Sequence, residues 1–208
     1  MLSQIQQDLL KLQNPKKAQV LSRFFKTGKG QYGEGDVFLG LKVPQQRKIA
    51  KKYSNLSLDQ IQNLLLSKIH EYRLTALLIL VQKYDKSENK KQIVDFYLNS
   101  TKNINNWDLV DLSAEKILGE YLFDKDKKLL YKLAKSDNLW EKRISIISTF
   151  YFIKNNRFED TPKISQILLD DKHVLIHKAV GWMLREIGKR DQKALEGFLK
   201  KYLKKLPR

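Results

Sequence analysis

Residues 107–111 read Trp-Asp-Leu-Val-Asp. A tryptophan and an aspartate four positions apart share one face of a helix. An indole face attracts positive charge and polarised C–H groups by about 0.5–2 kcal/mol. A carboxylate beside it stabilises developing positive charge or orients water. The two acidic residues are not equivalent. Asp108 falls in the first turn, where it complements the helix dipole, and it is expected to tolerate loss of its charge. Asp111 sits a full turn in, between Val110 and Leu112, beside the apolar stripe. A carboxylate there is either paired with a cation such as Arg143 or held for a purpose. Spacing alone leaves both readings open, because structural ion pairs imitate sites.

Other residues qualify less well. Trp182 follows Gly181 in His-Lys-Ala-Val-Gly-Trp-Met-Leu-Arg (177–185). Glycine in a helix interior costs about 1 kcal/mol against alanine, and its bare backbone lets something large approach. Trp140 stands at a helix start and reads as packing between helices. His173 and His177 have zinc-ligand spacing but lack the glutamate of a His-Glu-x-x-His pattern, and there is no cysteine, so no metal is expected. Phe150, Tyr151, Phe152 and Phe158 are dense enough to read as core. The glycine-rich stretch 28–44 lacks the Lys-Ser/Thr of a phosphate-cradling loop.

The elements that must position these residues are helical. Apolar spacing predicts helices over 2–12, 15–26, 44–53, 58–67, 70–84, 88–99, 107–122, 126–135, 139–154, 161–169, 173–188 and 191–204. Ser57 and Gln60 have capping-box spacing, Pro44 fits a first helical position, and Asn106 can cap the helix at Trp107. A register of about 35 residues runs through them. Arg73, Arg143 and Lys178 align, with the missing step inside the helix of Trp107; Leu74, Leu109, Ile144 and Ala179 keep the same spacing. Two helices per period read as a solenoid of stacked helical hairpins in one domain, 1–208, with a concave inner face. Trp107, Asp111, Arg143 and Trp182 then occupy the same place in successive repeats and could converge.

Composition narrows the partners. The chain has 208 residues and 42% hydrophobic content, enough for a sizeable core. It carries 40 Lys and Arg against 23 Asp and Glu, a formal net charge of +17. Such an excess steers polyanions, although 32 of the 40 are lysine, a bias that an AT-rich coding sequence would also produce. The absence of cysteine suits a reducing cytoplasm. The N-terminus lacks a basic start followed by an apolar run, so no signal peptide is expected. The longest apolar stretch, Leu74 to Val81, is too short to span a bilayer.

Five stretches together resemble the AlkD-like DNA alkylation repair family, glycosylases built of HEAT-like repeats: 13–26, 38–53, Asn-Asn-Trp-Asp-Leu-Val-Asp from 105, 136–150 with Asn-Leu-Trp-Glu-Lys-Arg, and 176–191 with Gly-Trp-Met-Leu-Arg-Glu. They run in the family's order across nearly the whole chain. The resemblance implies excision of cationic N3- or N7-alkylated purines from duplex DNA held in a basic cleft, without flipping the base into a pocket. It implies no metal or organic cofactor, a monomer, and a bacterial cytoplasmic protein that is nucleoid-associated when on DNA. By the same resemblance Asp111 corresponds to the catalytic carboxylate, Trp107 and Trp182 to the tryptophans against the lesion's deoxyribose, and Arg143 to an arginine near the phosphate backbone. Lys178, Arg47, Lys48 and Phe24 are the further DNA-binding candidates; Phe24 stands where the family often has a DNA-contacting tyrosine. The rival expectation is a non-catalytic protein of the same fold that recognises distorted or branched DNA. A helical adaptor for proteins is a third, and it leaves Asp111 and the two tryptophans without a role.

Overall fold

The architecture is all-α. The computed structural model describes residues 1–205. In it the chain forms α1 (Leu2–Leu10), α2 (Pro15–Phe24), α3 (Val43–Lys52), α4 (Leu58–Leu65), α5 (His70–Lys86), α6 (Lys90–Asn99), α7 (Trp107–Asp111), α8 (Glu120–Leu122), α9 (Lys128–Ala134), α10 (Leu139–Lys154), α11 (Asp160–Leu168), α12 (Val174–Gly188) and α13 (Gln192–Tyr202). Among the described residues the one β feature is an isolated bridge between Val37 and Ile69. The expected caps are present. Ser57 and Gln60 form the capping box of α4, and the Asn106 side chain accepts from Trp107 N at 2.8 Å. Pro44 sits second in α3, one place later than its spacing suggested.

The chain divides into two compact units, Met1–Ser113 and Ala114–Arg208. The first is organised around α5, which α1, α3, α4, α6 and α7 all contact. Residues His70 to Val81 of α5 are buried without a break, as expected of a helix covered on every side. Its head is polar, and that polarity is used. Glu71 is buried and accepts from the N–H groups of Leu39 (2.9 Å), Gly40 (2.8 Å) and Leu41 (3.2 Å). One carboxylate thus satisfies three donors of a segment with no helix of its own. Gly40 has φ +87°, and a Cβ there would lie 2.3 Å from Asn14 O, so only glycine lets this segment lie against the start of α2.

The second unit shows the connectivity of stacked helical hairpins. α9 packs on α10 and α11 on α12; α10 also meets α12, and α9 meets α11. Each hairpin therefore covers its neighbour's apolar face, helix for helix. α10 is buried around its circumference because small hydroxyl residues allow close approach. Ser145 donates to Leu130 O at 2.7 Å, and Ser148 and Thr149 donate to Ile144 O and Ile146 O within the helix, each at 2.7 Å. No helix among the described residues is long and apolar enough to cross a membrane.

The helix expected over 107–122 is not continuous. α7 ends at Asp111, a turn covers Leu112 and Ser113, a π-helical turn spans Glu115–Gly119, and α8 follows. Ser113 explains the break. Its hydroxyl donates back to Leu109 O at 2.6 Å and is 3.0 Å from the buried Tyr97 hydroxyl. Such back-bonding competes with the helical ladder and bends it. Gly119 closes the π turn against α10, where a Cβ would lie 2.3 Å from Ser148 O.

Candidate active site and nucleic-acid interface

Trp107 stands at the N-terminus of α7, half-buried in an aromatic cluster. The Phe25 ring stacks on it, with centroids 5.1 Å apart and planes 14° apart. Phe24 meets it edge-on at 5.9 Å. Phe24 itself is 60% exposed, so the cluster reaches the surface there. Behind Phe25 lie Phe38, at 5.1 Å, and the imidazole of His70, at 5.0 Å; Phe38 and His70 stack on each other at 4.6 Å. A cavity of about 550 Å³ borders the cluster, lined by Val20, Phe24, Phe25, Phe38, His70 and Asp108 among others.

A buried charge network holds this cluster. His70 Nε2 is 2.8 Å from Asp108 Oδ2, and its Nδ1 is 3.2 Å from Asp36 Oδ2. Arg73 Nη2 lies 2.7 Å from Asp36 Oδ1, and Arg73 Nη1 donates to Ser67 O at 2.8 Å. Asn106 Nδ2 donates to Asp36 Oδ2 at 3.4 Å. Two carboxylates face two cations, so the set is neutral when His70 is protonated. Burial pushes the His70 pKa down; the charge and hydrogen bond of Asp108, with the bond to Asp36, more than reverse this and raise it to about 9. Burial raises the Asp36 carboxyl, and the His70 bond with the Arg73 charge brings it below its ordinary value. Asp108 is therefore a buried partner of His70 and not a dipole partner at the surface. It is buried, with one oxygen on His70 and the other accepting from Leu109 N at 2.9 Å.

Asp111 closes α7, one turn from Trp107 and half-buried. Its negative charge reaches Tyr97: burial pushes that hydroxyl up, the bond to Ser113 opposes, and Asp111 adds to the rise. Arg47 and Lys48 lie exposed on α3.

In the second unit Trp182 is half-buried on α12, and Phe150 of α10 packs beside it at 5.5 Å. Lys154 Nζ sits 4.4 Å over the Phe150 ring and pairs with Glu115 at 2.5 Å. Of the aromatic run expected to be core, Phe152 is buried and Phe150 instead flanks Trp182. Lys178 is exposed one turn before Trp182. Arg143 is buried and donates from Nη1 to Leu175 O at 2.5 Å. A Cβ at Gly181 would meet nothing within 4 Å. Trp140 is buried as expected. His173 Nδ1 accepts from Leu175 N, and His177 Nε2 contacts Asp171 O. Among the described residues no three His, Cys, Asp or Glu cluster as a metal site.

Spacing could not find His70, Asp36, Phe25 or Phe38, because the contacts that tie them to one another through His70 and Trp107 join positions 30 or more residues apart. One signal was available. His70-Glu71 heads a helix that continues as Leu-Thr-Ala-Leu-Leu-Ile-Leu, and polar groups at the head of so apolar a helix need partners.

The model of the family described as "DNA alkylation repair enzyme" matches residues 5–208. The chain belongs to this family. Among solved structures, the chain resembles one described as a predicted DNA alkylation repair enzyme from Enterococcus faecalis, with a TM-score of 0.71 and 21% identity over 91% of this chain and 89% of that one. At that identity the likeness supports the fold. A search of curated proteins returned no match. Membership in the repair family makes damaged DNA the context in which the Trp107 cluster and the +17 charge are to be read.

Proposed function

We propose that this repair-family chain is a monofunctional DNA glycosylase that releases cationic N3- or N7-alkylated purines from duplex DNA. The observation that carries the reading is Trp107 and Asp111 one turn apart on α7 in a member of the DNA alkylation repair family. Alkylation makes the base a cation and weakens its bond to the sugar. As that bond breaks, the electrons leave with the base and the sugar becomes oxocarbenium-like. Asp111 offsets that charge and accepts a proton from the attacking water. One carboxylate suffices where the leaving group is already cationic, unlike the two of ordinary glycosidases.

Trp107 and Trp182 present indole faces to the polarised C–H groups of the deoxyribose. Phe24, exposed at the edge of Trp107, takes an apolar contact to the DNA. Arg47, Lys48 and Lys178 neutralise phosphates, and Arg143 lies near the DNA backbone. The chain works as one domain and as a monomer in the bacterial cytoplasm, with neither metal nor organic cofactor. The test is incubation with duplex DNA carrying N7-methylguanine. Free 7-methylguanine with intact strands is expected. Binding without release, strongest for branched duplexes, would favour the non-catalytic reading.

A further inference from the structure

We propose that His70 is the positioning residue of this site: gripping Asp108 and backing Phe25, it holds the Trp107 indole in its working orientation. The inference rests on the glycosylase reading for its consequence, though not for its geometry.

Three observations converge on it. Asp108 is the residue after Trp107, so the 2.8 Å bond from His70 Nε2 fixes the turn of backbone that carries the indole. Phe25 is stacked on Trp107 and lies 5.0 Å from the imidazole, so a ring in contact with His70 sets the plane of the tryptophan. The cavity beside Phe24, Phe25 and Phe38 leaves the cluster unpacked on one side. Packing alone would let those rings turn into it, and the charge network supplies the restraint.

The charge on His70 matters more than its shape. The groups around it are Asp108 from α7, Asp36 from the segment before α3, and Glu71 and Arg73 from α5 itself. Lys17 and Lys42 line the same cavity. Glu71 is spent on three backbone donors, and Arg73 faces Asp36. Protonated His70 is therefore the cation that answers Asp108. When it loses its proton, Asp108 is left as a buried carboxylate without its charge partner, and the first turn of α7 relaxes towards water.

The test uses the full chain labelled with 5-fluorotryptophan, its three ¹⁹F resonances assigned by single Trp→Phe variants. Between pH 7 and 10 the Trp107 resonance is expected to move with a midpoint near 9, while those of Trp140 and Trp182 hold still. In His70→Gln that titration disappears, and the single-turnover rate of 7-methylguanine release falls about 10- to 100-fold, with DNA affinity within about twofold of the parent. Phe25→Leu leaves the ion network whole, and it decides the matter if His70→Gln does not fold. Its His70 imidazole, read by ¹⁵N NMR, still titrates near 9, while the Trp107 shift, now carried through Asp108 alone, shrinks and base release slows. A Trp107 resonance flat from pH 7 to 10 in the parent overturns the proposal, as does full activity in either folded variant. A parent that releases no base removes the glycosylase reading, and the ¹⁹F titration still decides whether His70 positions Trp107.

Discussion

His70 ties the stability of the first unit to pH. Its ordinary pKa is 6.5 and folding raises it to about 9, so the folded state binds this proton more tightly. The contribution is complete below pH 6.5 and is lost as pH rises through 9. The difference corresponds to about 3 kcal/mol. Urea unfolding at pH 6 and pH 9.5 is expected to show the higher value at pH 6 by about that amount; equal values would mean that His70 is not a buried cation. Asp108→Asn strips the charge from its closest partner and is expected to cost roughly 3–5 kcal/mol, measured by the same unfolding at pH 6. A loss under 1 kcal/mol would restore the dipole role that the sequence suggests for Asp108. That role was the natural reading of an aspartate in a first turn. The pairing with His70 spans 38 positions, and no local spacing carries it. Trp107, Asp111 and the Asn106 cap, by contrast, depend on neighbours within one helical turn and were legible.

At the scale of elements, helix positions follow the apolar period closely, because each helix has one face or its whole circumference in a core. Ends differ from expectation by one or two residues, where capping decides. The interruption after Asp111 is of another kind. Leu-Ser-Ala-Glu-Lys-Ile-Leu (112–118) keeps the helical apolar spacing, and the break comes from Ser113, whose hydroxyl turns back to Leu109 O and meets Tyr97, a partner that the local sequence does not include. Two glycines separate packing from function here. Gly119→Ala would force a Cβ to 2.3 Å from Ser148 O and is expected to destabilise by about 1–3 kcal/mol, read as a fall in melting temperature. Gly181→Ala meets no protein atom within 4 Å and is expected to stabilise the mid-helix position by about 1 kcal/mol. A fall in melting temperature for Gly181→Ala would assign that glycine to packing after all.

For the molecule as a whole, the step of 35 from Arg143 to Lys178 was legible because in the second unit the α9/α10 and α11/α12 hairpins each present an apolar face to the other. The meaning of the charge was not, since lysine-rich composition arises both from DNA binding and from nucleotide bias. Salt separates the two. If about six phosphates are neutralised, the plot of log affinity for duplex DNA against log salt has a slope near −5; a slope near zero returns the charge to composition. The most direct test of the central claim is Asp111→Asn, which keeps the shape of the side chain and removes its charge. With N7-methylguanine duplex in single-turnover conditions, release of 7-methylguanine is expected to slow about 10²- to 10³-fold while DNA affinity holds or tightens slightly, because a charge that repels phosphate has gone. Release at the parent's rate would contradict the assignment of Asp111 as the catalytic carboxylate.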